Sequence, residues 1–398
     1  MAHNTRQRAD LAAWALNSAV TPAEFDAIDA LLFKSMNGDE GGIWLPSSKI
    51  ILGGQGLDVA APFRALGASG YNASMQAQNW PERSSVAAAT TANNADVPIT
   101  YAPPGGAMGV GAGGLIVCTT GATVSAYSDD GSSWQGSGSF GGFIGTARDI
   151  AYGIVNGAPG FLASATLSGA IAKSNDGGTW PASATGTVGT SSVLCYAPAP
   201  FSIWVAAGAG GVVYTSPDGD TWTARTTPAN WIANSGGAKR IVWNGSLFVI
   251  LPLGSYNQCL TSSNGIAWTE RALPMTALWS GLAYSAYDNT WMAVASNTGP
   301  AVVSSTGTAW FAAASANYLV GNDLAVINNL WMMATVIANG GGLCWSVDKG
   351  ANWNRGPSVG NHRTATAGWK RILATDNRFI VVHADGAKLE FAQSLRSS

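Results

Sequence analysis

The stretch Ser174-Asn-Asp-Gly-Gly-Thr-Trp180 decides how this chain is read, because it returns along the sequence with its spacing almost unchanged. Earlier stands Ser128-Asp-Asp-Gly-Ser-Ser-Trp134, and later come Ser216-Pro-Asp-Gly-Asp-Thr-Trp222, Ser262-Ser-Asn-Gly-Ile-Ala-Trp268 and Ser304-Ser-Thr-Gly-Thr-Ala-Trp310. A last copy, Ser346-Val-Asp-Lys-Gly-Ala-Asn-Trp353, carries one extra residue. Successive tryptophans stand 46, 42, 46, 42 and 43 positions apart. A period of this length suits a four-stranded repeat unit. Asp or Asn accepts hydrogen bonds from backbone N–H groups two residues on, and glycine supplies the positive φ that reverses the chain. The tryptophan gives each turn a large surface to pack. Asp130, Asp176, Asp218, Asn264 and Asp348 are therefore read as turn-forming, and Trp134, Trp180, Trp222, Trp268, Trp310 and Trp353 as anchors.

Other segments keep the same phase. Before each turn stand two short β-rich runs, such as Asp149-Ile-Ala-Tyr152 with Phe161-Leu-Ala-Ser164, Arg240-Ile-Val-Trp243 with Leu247-Phe-Val-Ile250, and Gly281-Leu-Ala-Tyr284 with Trp291-Met-Ala-Val294. Turn residues such as Asn244-Gly245 join them as a hairpin requires. There are seven such pairs but only six boxed turns, since the last unit runs through Lys388-Leu-Glu-Phe-Ala-Gln393 and the chain ends. The expectation is an all-β, seven-bladed propeller whose missing outer strand comes from within 82–98. The domain division expected is 1–80 as a small helical and β attachment segment and 81–398 as the propeller.

The composition agrees. Of 398 residues only 11% are charged, 50 are glycine and 17 are tryptophan, six of these being the anchors. A hydrophobic share of 47% opposes disorder. Twenty basic against 22 acidic residues give a net charge of −2, which argues against a nucleic-acid partner. No apolar run approaches the ~18 residues of a membrane helix, and no convincing signal peptide opens the chain. Cys118, Cys195, Cys259 and Cys344 have no metal-ligand spacing and read as free thiols of a protein made in a reducing cytoplasm. His3, His362 and His383 are too scattered for a zinc triad. No metal and no cofactor is expected.

In the N-terminal segment, Thr21-Pro-Ala-Glu24 reads as a capping box opening a helix that Asn37-Gly38 stops, after a first helix over about 6–18. Gly-punctuated short strands follow within 41–57.

The six turns resemble the Asp-box, or BNR, repeat, and the resemblance covers roughly residues 98–394. The family includes sialidases, other glycoside hydrolases, a photosystem assembly factor and viral proteins, so it implies the fold and no single activity. The sialidase pattern is not met. Pro62-Phe-Arg-Ala-Leu departs from the Phe/Tyr-Arg-Ile-Pro motif, and of the five glutamates, Glu24, Glu40, Glu82, Glu270 and Glu390, Glu270 falls on an outer strand. The string Met36-Asn-Gly-Asp-Glu-Gly-Gly-Ile-Trp-Leu-Pro-Ser-Ser48 resembles N-terminal regions of bacteriophage virion and tail proteins.

One alignment column is informative. The residue just before the apolar part of each inner strand is Pro98, Asp149, Val193, Arg240, Gly281, Asp323 and Arg371. Asp149, Arg240, Asp323 and Arg371 should meet at one mouth of a central channel. There they form either an ion-paired ring or a polar ligand site with Asp149 and Asp323 as an acid–base pair. Trp231, Trp279 and Trp369, with Phe140, Phe143 and Tyr318, lie on the connections that return to the inner strands, where they either pack between blades or offer ring faces to a sugar at that mouth. The function expected is a non-enzymatic virion protein (tail fibre, baseplate or decoration), located in the virion. Residues 1–80 would bind other virion proteins, and the propeller would face a glycan or protein receptor, with a homo-oligomer possible. The alternatives are a sialidase-like hydrolase and an assembly-factor propeller that binds a protein.

Overall fold

The computed structural model describes Ile50–Leu52, Gln55–Leu57 and Glu82–Ala87, and then 97–393 apart from 105–113, 120–123, 130, 132, 141–142, 144–145, 182–185, 235–236, 298, 300, 314–319, 336–341, 356–368, 377 and 386–387. The helices expected over about 6–18 and from Thr21 onward lie outside the described residues, as do Asp130 and Tyr318. The chain divides into two compact units, one within 1–72 and one spanning 73–396. In the first, Ile50–Leu52 pairs antiparallel with Gln55–Leu57.

The second unit is nearly all strand. Its described residues form five four-stranded antiparallel sheets and one of seven strands. Three of the four-stranded sheets begin at Ile99–Ala102, Ala147–Val155 and Val193–Ala197, and a fourth at Gly321–Ile327. The seven-stranded one begins at Ala238–Trp243 and contains the long strand Thr269–Ser285. That strand ends one group of four and begins the next. Its first part pairs with Ser255–Ser262, and its second part pairs with Thr290–Ala295. The remaining sheet begins at Arg371–Ala374, and its fourth strand is Glu82–Ala87, paired with Lys388–Gln393 from Lys388↔Ala87 to Gln393↔Glu82. A strand from before the first repeat thus completes the last one.

Each first strand packs beside the first strand of the next group. The succession returns to its start where Arg371–Ala374 packs beside Ile99–Ala102. The core follows this order. Every hydrophobic cluster among the described residues draws on two neighbouring groups: Val205 with Phe248, Leu251 with Trp291, and Ile116 with Val382. Second strands such as Phe248–Pro252 and Leu330–Thr335 are buried along their whole length, because they are covered on both faces and both edges. This explains why they read as continuous apolar runs rather than alternating ones. Burying one such Val, Leu or Ile side chain contributes about 1.5–3 kcal/mol.

The repeated turns lock neighbouring groups together. In each, the serine hydroxyl accepts from the glycine N–H at 2.8–2.9 Å, as in Gly177 to Ser174 and Gly307 to Ser304. Asp176 Oδ1 accepts from the N–H groups of Gly178 (2.9 Å) and Thr179 (2.6 Å), and Asn264 Oδ1 does the same for Ile266 and Ala267. The indole Nε1–H closes the turn on the glycine carbonyl, at 3.2 Å for Trp180 and 2.9 Å for Trp268. Gly177 has φ +72°, and a Cβ there would come within 2.5 Å of Val117 in the preceding group. Glycine is required twice over, by the left-handed backbone and by the close approach. In the longer copy the extra residue, Lys349, itself takes φ 59°, and Gly350 still reaches Ser346 at 2.9 Å.

These turns give the fold an acid limit. Burial pulls the carboxyls of Asp176, Asp218 and Asp348 upward, but the hydrogen bonds they accept outweigh it. They come from Thr179 and Gly178, from Thr221 and Asp220, and from Asn352, with a serine hydroxyl in each turn. All three carboxyls therefore sit below the ordinary value of 3.8. A depressed folded-state pKa stabilises the fold above the unfolded value and ceases to do so as the pH falls through the folded one. Stability should decline below about pH 4. Asn at all three positions, copying Asn264, should flatten that decline in urea melts taken from pH 6 to pH 2.5. An unchanged slope would show that these turns do not set it.

Candidate functional site

Asp149, Arg240, Asp323 and Arg371 lie close together, and their bonding shows what they do. Asp323 is 4% exposed and lies between two guanidinium groups, 3.3 Å from Arg240 Nε through Oδ1 and 3.1 Å from Arg371 Nε through Oδ2. Oδ2 also accepts the backbone N–H of Ile372 at 3.2 Å. Asp149 repeats that last contact one place in its own column. Its Oδ2 accepts the N–H of Leu194 at 2.9 Å. Leu194 and Ile372 each follow a column residue, so both aspartates reach from one inner strand to the equivalent N–H of the next.

The residue just ahead of the column makes similar links, which the sequence reading missed. In four groups the pairing register slips there, between Ala147 and Asp149, Ala238 and Arg240, Trp279 and Gly281, and Gly321 and Asp323. A β-bulge re-aims a side chain that an unbroken ladder would send to the other face. Arg148 donates to the carbonyls of Ser191 and Ala238, Ser280 Oγ to that of Gly321 at 2.6 Å, and Asn322 Nδ2 to that of Trp369 at 2.8 Å. The sequence signal was a polar residue, Arg148, Lys239, Ser280 or Asn322, at one fixed position before an apolar run.

The three tryptophans read as candidate ring faces are elsewhere. Trp231, on the short helix Ala229–Asn234, is 1% exposed and packs with Val193 and Phe248. Trp279 is 2% exposed, and its Nε1–H donates to the Tyr256 carbonyl at 2.7 Å. Trp369 is 6% exposed and packs with Leu343 and Phe379. Each indole is covered by residues of two neighbouring groups. The large indole surface is satisfied there rather than at an open mouth. Phe140 is buried likewise, stacked 5.1 Å from Phe143 and edge-on to Trp180.

A cavity of about 260 Å³ opens among the inner strands. Asp149, Arg240 and Arg371 line it at the column level, and Tyr101, Tyr152 and Tyr196 line it three residues further along their strands. The Cys195 thiol also borders it. Burial and the charge of Asp149 push that thiol up to about 12, so no thiolate nucleophile stands there near neutral pH. None of the four cysteines forms a disulfide. Among the described residues no group of three or more His, Cys, Asp or Glu could hold a metal ion, and no helix is long and apolar enough to cross a membrane.

Sheets that succeed one another round a returning ring of inner strands define a β-propeller. Solved structures agree. The chain resembles YCF48 bound to a D1 peptide (16% identity, TM-score 0.54, 79% of this chain and 98% of that one). It also resembles virginiamycin B lyase from Staphylococcus aureus (10%, 0.56, 79% and 99%) and a chain of the mitotic checkpoint complex (8%, 0.54, 80% and 93%). Identities this low speak for the fold alone. No protein-family model matches the chain, and no curated protein matches it.

Proposed function

We propose that this chain is a non-enzymatic, seven-bladed propeller of the Asp-box type, closed by its N-terminal strand, which acts as the binding component of a virus particle. Residues 1–80 attach it to other virion proteins, and the propeller presents the surface that meets a receptor. The observation that carries the non-enzymatic reading is the bonding of the two channel carboxylates. A glycoside hydrolase needs one carboxyl to give a proton and another to attack or activate water. Asp323 is committed to two arginines and a backbone N–H, and Asp149 to the neighbouring strand. Both act as latches between blades.

Two measurements test this. The protein should co-sediment with particles, and removal of residues 1–80 should release it; a full-length chain that stays free would end the virion reading. A panel of aryl glycosides should remain uncleaved. Turnover that Asp149→Asn or Asp323→Asn abolishes would establish the hydrolase instead. A second reading, a propeller that binds a protein during assembly, draws on the YCF48–D1 peptide structure as a fold-level parallel.

A further inference from the structure

Three residues beyond the charged column, the inner strands carry a second alignment column: Tyr101, Tyr152, Tyr196, Trp243 and Tyr284 in five successive groups, then Val326 and Ala374. All five aromatics are half-buried, in contrast to the buried Trp231, Trp279 and Trp369. One side of each of the last four rings is held by the aromatic residue opposite on the second strand. The ring centroids are 5.5 Å apart for Tyr152–Phe161, 5.0 Å for Tyr196–Trp204, 4.3 Å for Trp243–Phe248 and 4.9 Å for Tyr284–Trp291. Tyr196 also lies over Gly153 of the preceding group, where a Cβ would come within 2.5 Å of its ring. Tyr101 is fixed by its hydroxyl, which donates to Asp376 Oδ2 at 2.8 Å.

We propose that the cavity bordered by Tyr101, Tyr152 and Tyr196 binds one neutral sugar ring. This rests on the binding role proposed above and names the ligand. Three properties of the cavity point to that chemistry. Its volume of about 260 Å³ lies below the ~300–1,000 Å³ of sites for drug-sized ligands, which suits a single pyranose unit. Its lining combines three tyrosine rings and the apolar Ile150, Leu194 and Ile241 with the hydrogen-bonding Thr100 and Asp149, as a ring with apolar C–H faces and a hydroxyl rim requires. Its charged lining groups already have partners, Arg240 and Arg371 in Asp323 and Asp149 in the Leu194 N–H, so neither an anionic nor a cationic sugar finds an unmatched countercharge.

Saturation-transfer NMR on the purified full-length chain tests the site. The probes are methyl glycosides of neutral hexoses and of N-acetylhexosamines, with sialic acid and N-acetyltryptophanamide as comparators. At least one neutral glycoside should show saturation transfer. Tyr152→Ala and Tyr196→Ala should each weaken it about tenfold, the loss of one stacking contact. Tyr196→Phe, which keeps the ring, should retain binding, and thermal melts show that each variant folds. Failure of every neutral sugar to bind would overturn the proposal. So would stronger binding of sialic acid or of the apolar amide, or neutral-sugar binding untouched by both alanine variants. These outcomes are read on the isolated protein and stand apart from particle sedimentation, which tests the virion role.

Discussion

Asp323→Ala is expected to destabilise the protein by about 3–5 kcal/mol, the cost of removing one partner from a buried ion pair. The size follows from what the carboxylate leaves behind. Arg240 and Arg371 have side chains 8% and 11% exposed, so neither can exchange its partner for bulk water. The Ile372 N–H loses its acceptor as well. Asp323→Asn should cost less, because an amide oxygen can still accept from Ile372 while the charge pairing is lost. The triple replacement Asp323→Leu, Arg240→Met and Arg371→Met separates two explanations. Exchanging a whole buried ionic cluster for apolar side chains is often neutral or stabilising, by about 1–4 kcal/mol. Recovery in the triple variant would locate the harm in stranded charge rather than in a lost contact. Equilibrium urea unfolding measures all three. A loss under about 1 kcal/mol in Asp323→Ala would mean that water reaches the cluster and that the latch is not structural.

The four charged residues were legible in the sequence because they break a rule at a fixed place. A residue such as Asp149 or Arg240 directly ahead of Ile-Ala or Ile-Val stands out against an apolar run, and the repeat supplies its register. The boxed turns were legible for a similar reason, since Ser174, Asp176, Gly177 and Trp180 all bond within one local segment. Local bonding leaves a local signature. Trp231, Trp279 and Trp369 could be read either way because nothing local says whether a connection runs over the rim or down between two sheets. Their partners, such as Phe248 for Trp231 and Phe379 for Trp369, come from elsewhere in the chain. The bulges ahead of the column were hidden too. They depend on the partner strand's register, and they are what turn Ser280 and Asn322 toward the next group. The tyrosine column was present in the quoted motifs as their fourth residue. It carried no signal until the structure showed that these rings stay half-buried while Trp231, Trp279 and Trp369 are covered.

The largest effect on folding is expected from the strand Glu82–Ala87, and two truncations that bracket it make the case. Removing 1–72 takes away one compact unit and leaves that strand in place. Removing 1–90 takes the strand as well. Lys388–Gln393 then loses six paired positions and becomes the outer edge of its sheet. At about 1 kcal/mol for each ladder hydrogen bond, the direct loss is several kcal/mol, comparable to the ~5–15 kcal/mol that holds a typical domain together. The indirect loss adds to it. The sheet that Glu82–Ala87 completes is the one packed against the first, through Ile380 and Val382 on Ile116 and Cys118 and through the Tyr101–Asp376 bond. Loosening it opens the succession of inner strands where its last group meets its first, and a newly bared edge strand is a template for association. The shorter truncation should therefore keep the urea midpoint of the second unit, whereas the longer one should lower it sharply and drive the protein into oligomers seen by light scattering. Supplying Pro81–Ala87 as a synthetic peptide should restore part of the midpoint, because the ladder can re-form without a covalent link. Equal behaviour of the two truncations would show that the strand decorates the last sheet without holding the ring.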